Sequence, residues 1–235
     1  MRLLAIDAAT KGLGVAIAEE DKLLAVAALD IGKTHSQRLL PLIDDLMREG
    51  GFSPRDLDGI AVTVGPGSFT GVRIGISTAK ALAYAWRKQV VGVKTLDALA
   101  CNETGRGALI CPILDARRNE VYYGVYDEMA RSLEPIGAMS PETLAEHLRR
   151  TYPEKRLLFL GDAAVLYREV MCRCLGKWAE TAPPAHRVCM AESVAFYALD
   201  HWDERKDPEG IQGFYLHPSS AEKQRLERLA AERHD

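Results

Sequence analysis

The chain has 235 residues, 47% of them hydrophobic, and a formal net charge of −3, which allows a sizeable core in one or two compact lobes. That charge gives no basic face with which to bind nucleic acid unaided. Five cysteines, Cys101, Cys111, Cys172, Cys174 and Cys189, form no C-x-x-C pair; the expectation is reduced, buried, inert thiols in a cytoplasmic protein, not a disulfide framework or zinc ribbon.

At the N-terminus an acid, Asp7, arrives too early for a signal peptide, and charged residues interrupt every apolar run before it could span a bilayer. Leu3–Ala8, Leu13–Ala18 and Leu23–Leu29 are short apolar runs with close turns, which predicts antiparallel strands. His35–Arg48 comes next as a helix, its apolar stripe made by Leu39, Leu42, Ile43, Leu46 and Met47 and its stop by Gly50-Gly51. Pro41 conflicts with the second turn, so this helix is either bent there or begins near Leu40.

Ile60–Val64 reads as a buried strand. The glycine-rich loop Gly65–Gly71 leads into a helix at Val72–Trp86, where Gly75, Ala79 and Ala83 make a small-residue row that lets another backbone approach. Val90–Val93 is a strand, and Leu96–Ala100 starts a short helix. After the turn-rich Asn102–Gly107 the order restarts: strands at Ala108–Leu114, Val121–Tyr126 and Leu133–Gly137, a helix at Pro141–Arg150 capped by Ser140, a strand at Leu157–Leu160, and helices at Ala163–Leu175 and Ala191–Trp202. Ser219–Arg233 reads as a charged helix. The repeated order, echoed by Ile6-Asp7-Ala8 and Leu114-Asp115-Ala116, predicts a duplicated α/β architecture of β-β-β-α-β-α units: residues 1–104, a smaller second lobe at 105–216, and a tail at 217–235.

Several stretches invite a chemical reading. Gly32-Lys33-Thr34 ends like a Walker A loop, but Ala27 stands where the first glycine is required and no glycine-rich cradle precedes it. His35 could be half of a helical metal pair, but Leu39 stands four residues on and the other histidines follow no ligand spacing. Thr34 and Gln37 instead suit a capping box. Asp7, with Thr10 in the turn after it, could hold a metal–nucleotide complex or simply cap that turn. Gly67 and Ser68, in a loop between strand and helix, could present N–H groups to an anion, or the glycines could serve a tight turn and close packing. The hairpin Asp115–Glu120 reads as a solvated turn, and no Ser-His-Asp or Cys-His arrangement is visible.

Four segments together, LLAIDAATKGLGVAIAE, HSQRLLPLI, VGPGSFTGVRIGISTAKALA and ILDARRNEVYYGVY, resemble the TsaB family, also called YeaZ, through about residue 127. The resemblance implies a two-lobed actin/Hsp70-like (ribonuclease H-like, ASKHA) fold with mixed sheets. It implies a noncatalytic subunit that pairs with its paralogue TsaD, joined by the ATPase TsaE. That assembly adds a threonylcarbamoyl group to N6 of the adenosine 3′ of the anticodon in tRNAs reading codons that begin with A. Cofactors, ATP and metal, are expected on the partner proteins, tRNA contact only through the complex, and no membrane association.

The paralogue's metal site uses two helical histidines four apart, of which this sequence keeps His35 and has Leu39 in place of the second. Its D-T-S phosphate loop is Asp7-Ala8-Ala9-Thr10 here. This leaves Asp7, Thr10, Gly67 and Ser68 as a vestigial nucleotide site and no metal site. The resemblance places association on the two first-lobe helices, with candidate contacts His35, Leu39, Leu42, Ile43, Leu46, Val72, Ile76, Ala79 and Ala83, in a homodimer when alone or in the heterodimer with TsaD. Periodicity cannot separate such a face from core. The rivals are a nucleotide-dependent phosphotransferase of the same fold and a glycoprotease-like metallopeptidase, the latter lacking ligands to activate water.

Overall fold

The computed structural model describes residues 1–29 and 35–216. Two five-stranded mixed sheets share one topology. The first contains β1 (Arg2–Asp7), β2 (Leu13–Glu19), β3 (Lys22–Leu29), β4 (Gly59–Gly65) and β5 (Gln89–Lys94) in the order β3-β2-β1-β4-β5. The second contains β6 (Leu109–Arg117), β7 (Glu120–Tyr126), β8 (Ser132–Met139), β9 (Leu157–Leu160) and β10 (Ala179–Thr181) in the order β8-β7-β6-β9-β10. In each, the first three strands form an antiparallel meander and the last two join in parallel. This is the duplicated actin/Hsp70-like arrangement, and Asp7 and Asp115 fall at matching positions on β1 and β6.

The helices are α1 (His35–Gly50), α2 (Phe69–Trp86), α3 (Thr95–Ala100), α4 (Pro141–Thr151), α5 (Ala163–Leu166), α6 (Arg168–Leu175) and α7 (Ala191–Asp200). The central strands are apolar on both faces because both faces are covered. Leu4, Ile6, Val15, Ile17, Ile60 and Val62 pack against α1 and α2. The alternate residues, among them Leu3, Ala5, Ala16, Ala18 and Ala61, meet α7. Those alanines let α7 approach through its own Ala191, Ala195 and Ala198. In the second sheet one face packs on α4 and α6, and the other packs on α3 of the first lobe.

Several expectations are corrected. Helix α1 begins at His35 with Pro41 inside it, so the later start near Leu40 falls away. Helix α2 begins three residues before Val72, because the Ser68 hydroxyl caps it by accepting from the Gly71 N–H at 3.2 Å. The single helix expected at Ala163–Leu175 breaks at Tyr167 into α5 and α6. Helix α7 ends at Asp200, two residues short of Trp202. Strand β10 carries no apolar run and so leaves no pattern to read; it is a three-residue edge paired with β9. The last part of the 105–216 stretch packs on the first sheet: α7 covers β1 and β2, Val90 exchanges backbone bonds with Lys206, and the Phe214 N–H donates to the Val64 carbonyl at 2.7 Å. Cys172 is exposed, unlike buried Cys111, because the outward face of α6 needs no apolar residue. The Thr34–Gln37 capping box, the Walker-like Gly32-Lys33-Thr34 and the 217–235 tail helix lie outside the described residues.

Candidate functional site

The carboxyl end of β1 is built from three elements. Strand β1 delivers Asp7, β4 delivers Thr63 beside it, and the loop leading into α2 closes over the turn after β1. Asp7 is only 1% exposed. The Thr63 hydroxyl donates to its carboxylate at 2.8 Å, and the Ala9 N–H donates to the same oxygen at 3.1 Å. Thr63 Oγ1 in turn accepts from the Ala8 N–H at 3.3 Å. Cys189, in the segment before α7, lies beside Asp7.

Burial pushes the Asp7 carboxyl above the usual range, opposed by those hydrogen bonds and by nearby His35. Burial and the Asp7 carboxylate push the Cys189 thiol well up, so it is no thiolate nucleophile. Burial likewise pushes Cys101 up to about 11 and raises Cys111.

The structure brings Asp7, Thr10, Gly67 and Ser68 together, with Asp7 enclosed, Thr10 and Gly67 half-buried and Ser68 exposed. The Ser68 N–H donates to the Ala9 carbonyl at 2.7 Å, and its hydroxyl caps α2. A Cβ on Gly67 would overlap the Ala9 carbonyl oxygen, and one on Gly71 would overlap that of Ala8. The glycines therefore serve close approach of two backbones, the packing alternative left open by the sequence. His35 is drawn to this junction. Its Nε2 lies 3.2 Å from the Thr10 carbonyl and 3.3 Å from that of Gly12. Both are acceptors, so Nε2 carries the proton, and the ring ties the start of α1 to the β1–β2 turn. Among the described residues no group of three or more His, Cys, Asp or Glu could hold a metal.

The expected association residues are mostly core. Leu39, Ile43, Leu46, Val72, Ile76, Ala79 and Ala83 are all buried against the first sheet, and half-buried Leu42 packs at the edge of the same cluster. Their periodicity marks the face that the chain covers with its own sheet. The outward faces of the same two neighbouring helices carry Leu40, 53% exposed, on α1 and Tyr84, 75% exposed, on α2, with small Ser77, Ala81 and Ala85 exposed beside Tyr84. No amphipathic pattern singles out Leu40 or Tyr84. Thr63 does leave a signal, as the one hydroxyl in Ile60-Ala61-Val62-Thr63-Val64. Cys189 is far from Asp7 in sequence and leaves none. Among the described residues no helix is long and apolar enough to cross a membrane.

With this geometry in view, comparisons with known proteins are specific. A family model described as "TsaD: tRNA N6-adenosine threonylcarbamoyltransferase" matches residues 29–191. The chain is 34% identical over 228 residues to the tRNA threonylcarbamoyladenosine biosynthesis protein TsaB of Bacillus subtilis, covering 97% of this chain and 99% of that one. It is 34% identical over 156 residues to TsaB of Escherichia coli, covering 64% and 67% of the two chains. The solved structure of YeaZ from Pseudomonas aeruginosa superposes with a TM-score of 0.78 at 29% identity, over 92% of this chain and 99% of that one. The likeness thus extends well past residue 127, into the half where motifs give no guide. Matched end to end by one TsaB and in fold by a YeaZ, the chain belongs to the TsaB (YeaZ) family of tRNA threonylcarbamoyladenosine biosynthesis proteins.

Proposed function

We propose that this chain is a noncatalytic subunit of the assembly that places the threonylcarbamoyl group on N6 of the adenosine 3′ of the tRNA anticodon. Its partner is TsaD, with the ATPase TsaE as third member. ATP and metal reside on those partners, and tRNA is met only through the complex. The observation that carries the noncatalytic reading is the junction at Asp7: its carboxylate is enclosed, and the Ala8, Ala9 and Ser68 N–H groups beside it are spent on Thr63, Asp7 and the Ala9 carbonyl. A phosphate would find no free cradle there.

The partner face is the outward side of α1 and α2, around Leu40 and Tyr84. Exposed small residues on α2 allow close helix approach, and the exposed apolar side chains supply area to bury. The same face serves self-association when the partner is absent.

The test is a double substitution, Leu40→Asp with Tyr84→Asp. It is expected to leave the circular dichroism and melting temperature nearly unchanged while abolishing co-purification with TsaD and the reconstituted modification. Undiminished TsaD binding by that variant would refute the face. Modification proceeding at full rate without this chain would refute the role. Calorimetry of the lone protein with ATP and magnesium is expected to show no binding; stoichiometric binding with turnover would establish the phosphotransferase alternative.

A further inference from the structure

Two lobes joined by one chain move relative to each other by default, unless the interface between them is large and apolar. Here the interface is a core. Helix α3 lies in the first lobe's sequence, yet Leu96 and Leu99 pack with Ile110, Leu114, Tyr126 and Leu158 of the second sheet, all buried in one cluster. That face of the second sheet takes its cover from the first lobe.

Buried and half-buried polar groups at the rim of this core are paired around it. The Tyr126 hydroxyl donates to the Asp97 carboxylate at 2.6 Å, and the Tyr197 hydroxyl of α7 reaches the other oxygen at 3.4 Å. One turn later, Asn102 spans the junction with both ends of its amide. Its Nδ2 donates to the His186 and Val188 carbonyls at 3.0 and 2.8 Å, and its Oδ1 accepts from the Ser193 hydroxyl at 2.6 Å. Beside it, the fully buried side chain of Glu103 meets His186 Nδ1 at 2.9 Å and the Arg106 guanidinium.

The stretch from His186 to Cys189 is itself a strap between lobes. The Arg187 carbonyl accepts from the Gly161 N–H of the second lobe at 2.9 Å, and the Cys189 side chain packs against the first lobe's core beside Asp7. Opening the lobes would pull α3 off its sheet, expose that core to water, and break the bond from Tyr126 to Asp97.

We infer that α3 and the 186–189 strap lock the two lobes into one rigid body, so that the protein presents a constant shape and does not open and close around a ligand. This rests on the junction's geometry and not on the partner reading, and it is tested on the isolated full chain.

Nitroxide labels at Glu49→Cys on α1 and Glu146→Cys on α4, in a Cys172→Ser, Cys174→Ser background, report the distance between lobes by double electron–electron resonance. The expected result is a single narrow distance, no broader than that of a within-lobe pair at Glu49→Cys and Ser77→Cys, and unmoved by magnesium-ATP. Adding Asp97→Ala with Asn102→Ala is expected to destroy the single narrow distance. Should that variant fail to fold, Tyr126→Phe removes only the hydroxyl, and faster amide exchange in α3 and β6 is then the expected readout. A broad or two-peaked distance in the parent protein, a shift on adding magnesium-ATP, or folded junction variants with unchanged distance and exchange would each overturn the inference.

Discussion

Asp7 and Asp115 stand at the same place in two copies of one unit, and their surroundings have diverged. Asp7 is enclosed, takes the Thr63 hydroxyl and the Ala9 N–H, and has its carboxyl raised by burial. Asp115 keeps 19% of its side chain exposed and pairs with the Arg117 guanidinium at 3.3 Å, while its own N–H goes to Asp162. The difference lies just beyond the fourth strand of each unit. In the first lobe that strand runs into a loop and an eighteen-residue helix whose start lies on the β1 turn. In the second, the corresponding strand leads to a four-residue helix that breaks at Tyr167. A long helix with glycines at its start encloses a strand end; a short one, entered through the single close contact of Gly161 with the Ile113 carbonyl, leaves it partly exposed.

The largest expected effect comes from breaking that enclosure. In a helix interior, Gly71→Ala should gain about 1 kcal/mol from propensity alone. Here the new methyl would run into the Ala8 backbone, so the net result is a loss of about 3 kcal/mol or more in a urea unfolding experiment. Gly12→Ala, with no atom within 4 Å of the new methyl, should change stability by no more than about 0.5 kcal/mol. Equal effects from the two would show that close backbone approach is not what α2 supplies.

Next in size is Thr63→Val, which keeps the shape but deletes the donor to Asp7 and the acceptor for Ala8 N–H. Stranding those buried groups should cost about 2 kcal/mol. A cost near zero would mean that the Thr63 hydroxyl is not what holds Asp7 and the Ala8 N–H.

Whether a feature of this fold is legible in the sequence depends on the range of the contacts that make it. The duplicated order is legible because each long strand is a short apolar run bounded by turn residues. The Ser140 cap is legible too, as a Ser-Pro start that indeed accepts from the Thr143 N–H at 3.2 Å. Those signals are local. The proposed partner face is not, because an amphipathic stripe records only that a helix buries one side, and α1 and α2 bury that side on their own sheet. The returning segment is hidden because nothing local tells α7 which sheet it will cover; the matching alanines of β1, β2 and α7 are far apart in sequence. Cys189 beside Asp7 and Tyr126 on Asp97 belong to this long-range class.

The pH dependence sharpens the contrast between the two acids. Because the Asp7 carboxyl is raised in the fold, the unfolded chain loses that proton first as pH rises. Stability contributed by this site is therefore full below the ordinary carboxyl value of 3.8 and falls until the raised folded value is passed. In Asp7→Asn the amide oxygen can still accept from Ala9 and Thr63, and nothing titrates. The variant should gain on the parent protein as pH rises from about 4 toward the raised folded value, by about 1.4 kcal/mol for each unit by which the fold raises the carboxyl. Urea unfolding of both proteins across that range measures the gain. A constant difference would show that Asp7 titrates alike in folded and unfolded chains.

The smallest effect is expected at the second acid. Arg117 is 81% exposed and stands in the left-handed region at φ 68, on a hairpin tip where water solvates its charge. An ion pair so exposed is worth no more than about 0.5 kcal/mol and is screened by salt. Arg117→Ala should thus move the unfolding midpoint barely, and still less in high salt. The Asp115 carboxylate would keep its bond from the Arg117 backbone N–H, which alanine preserves at 2.8 Å. A loss as large as that of Thr63→Val would mean that the second strand end depends on its charge pair as the first depends on its hydroxyl. The two lobes would then hold the same position by different chemistry, and the short helix α5 would not be the reason it stays partly exposed.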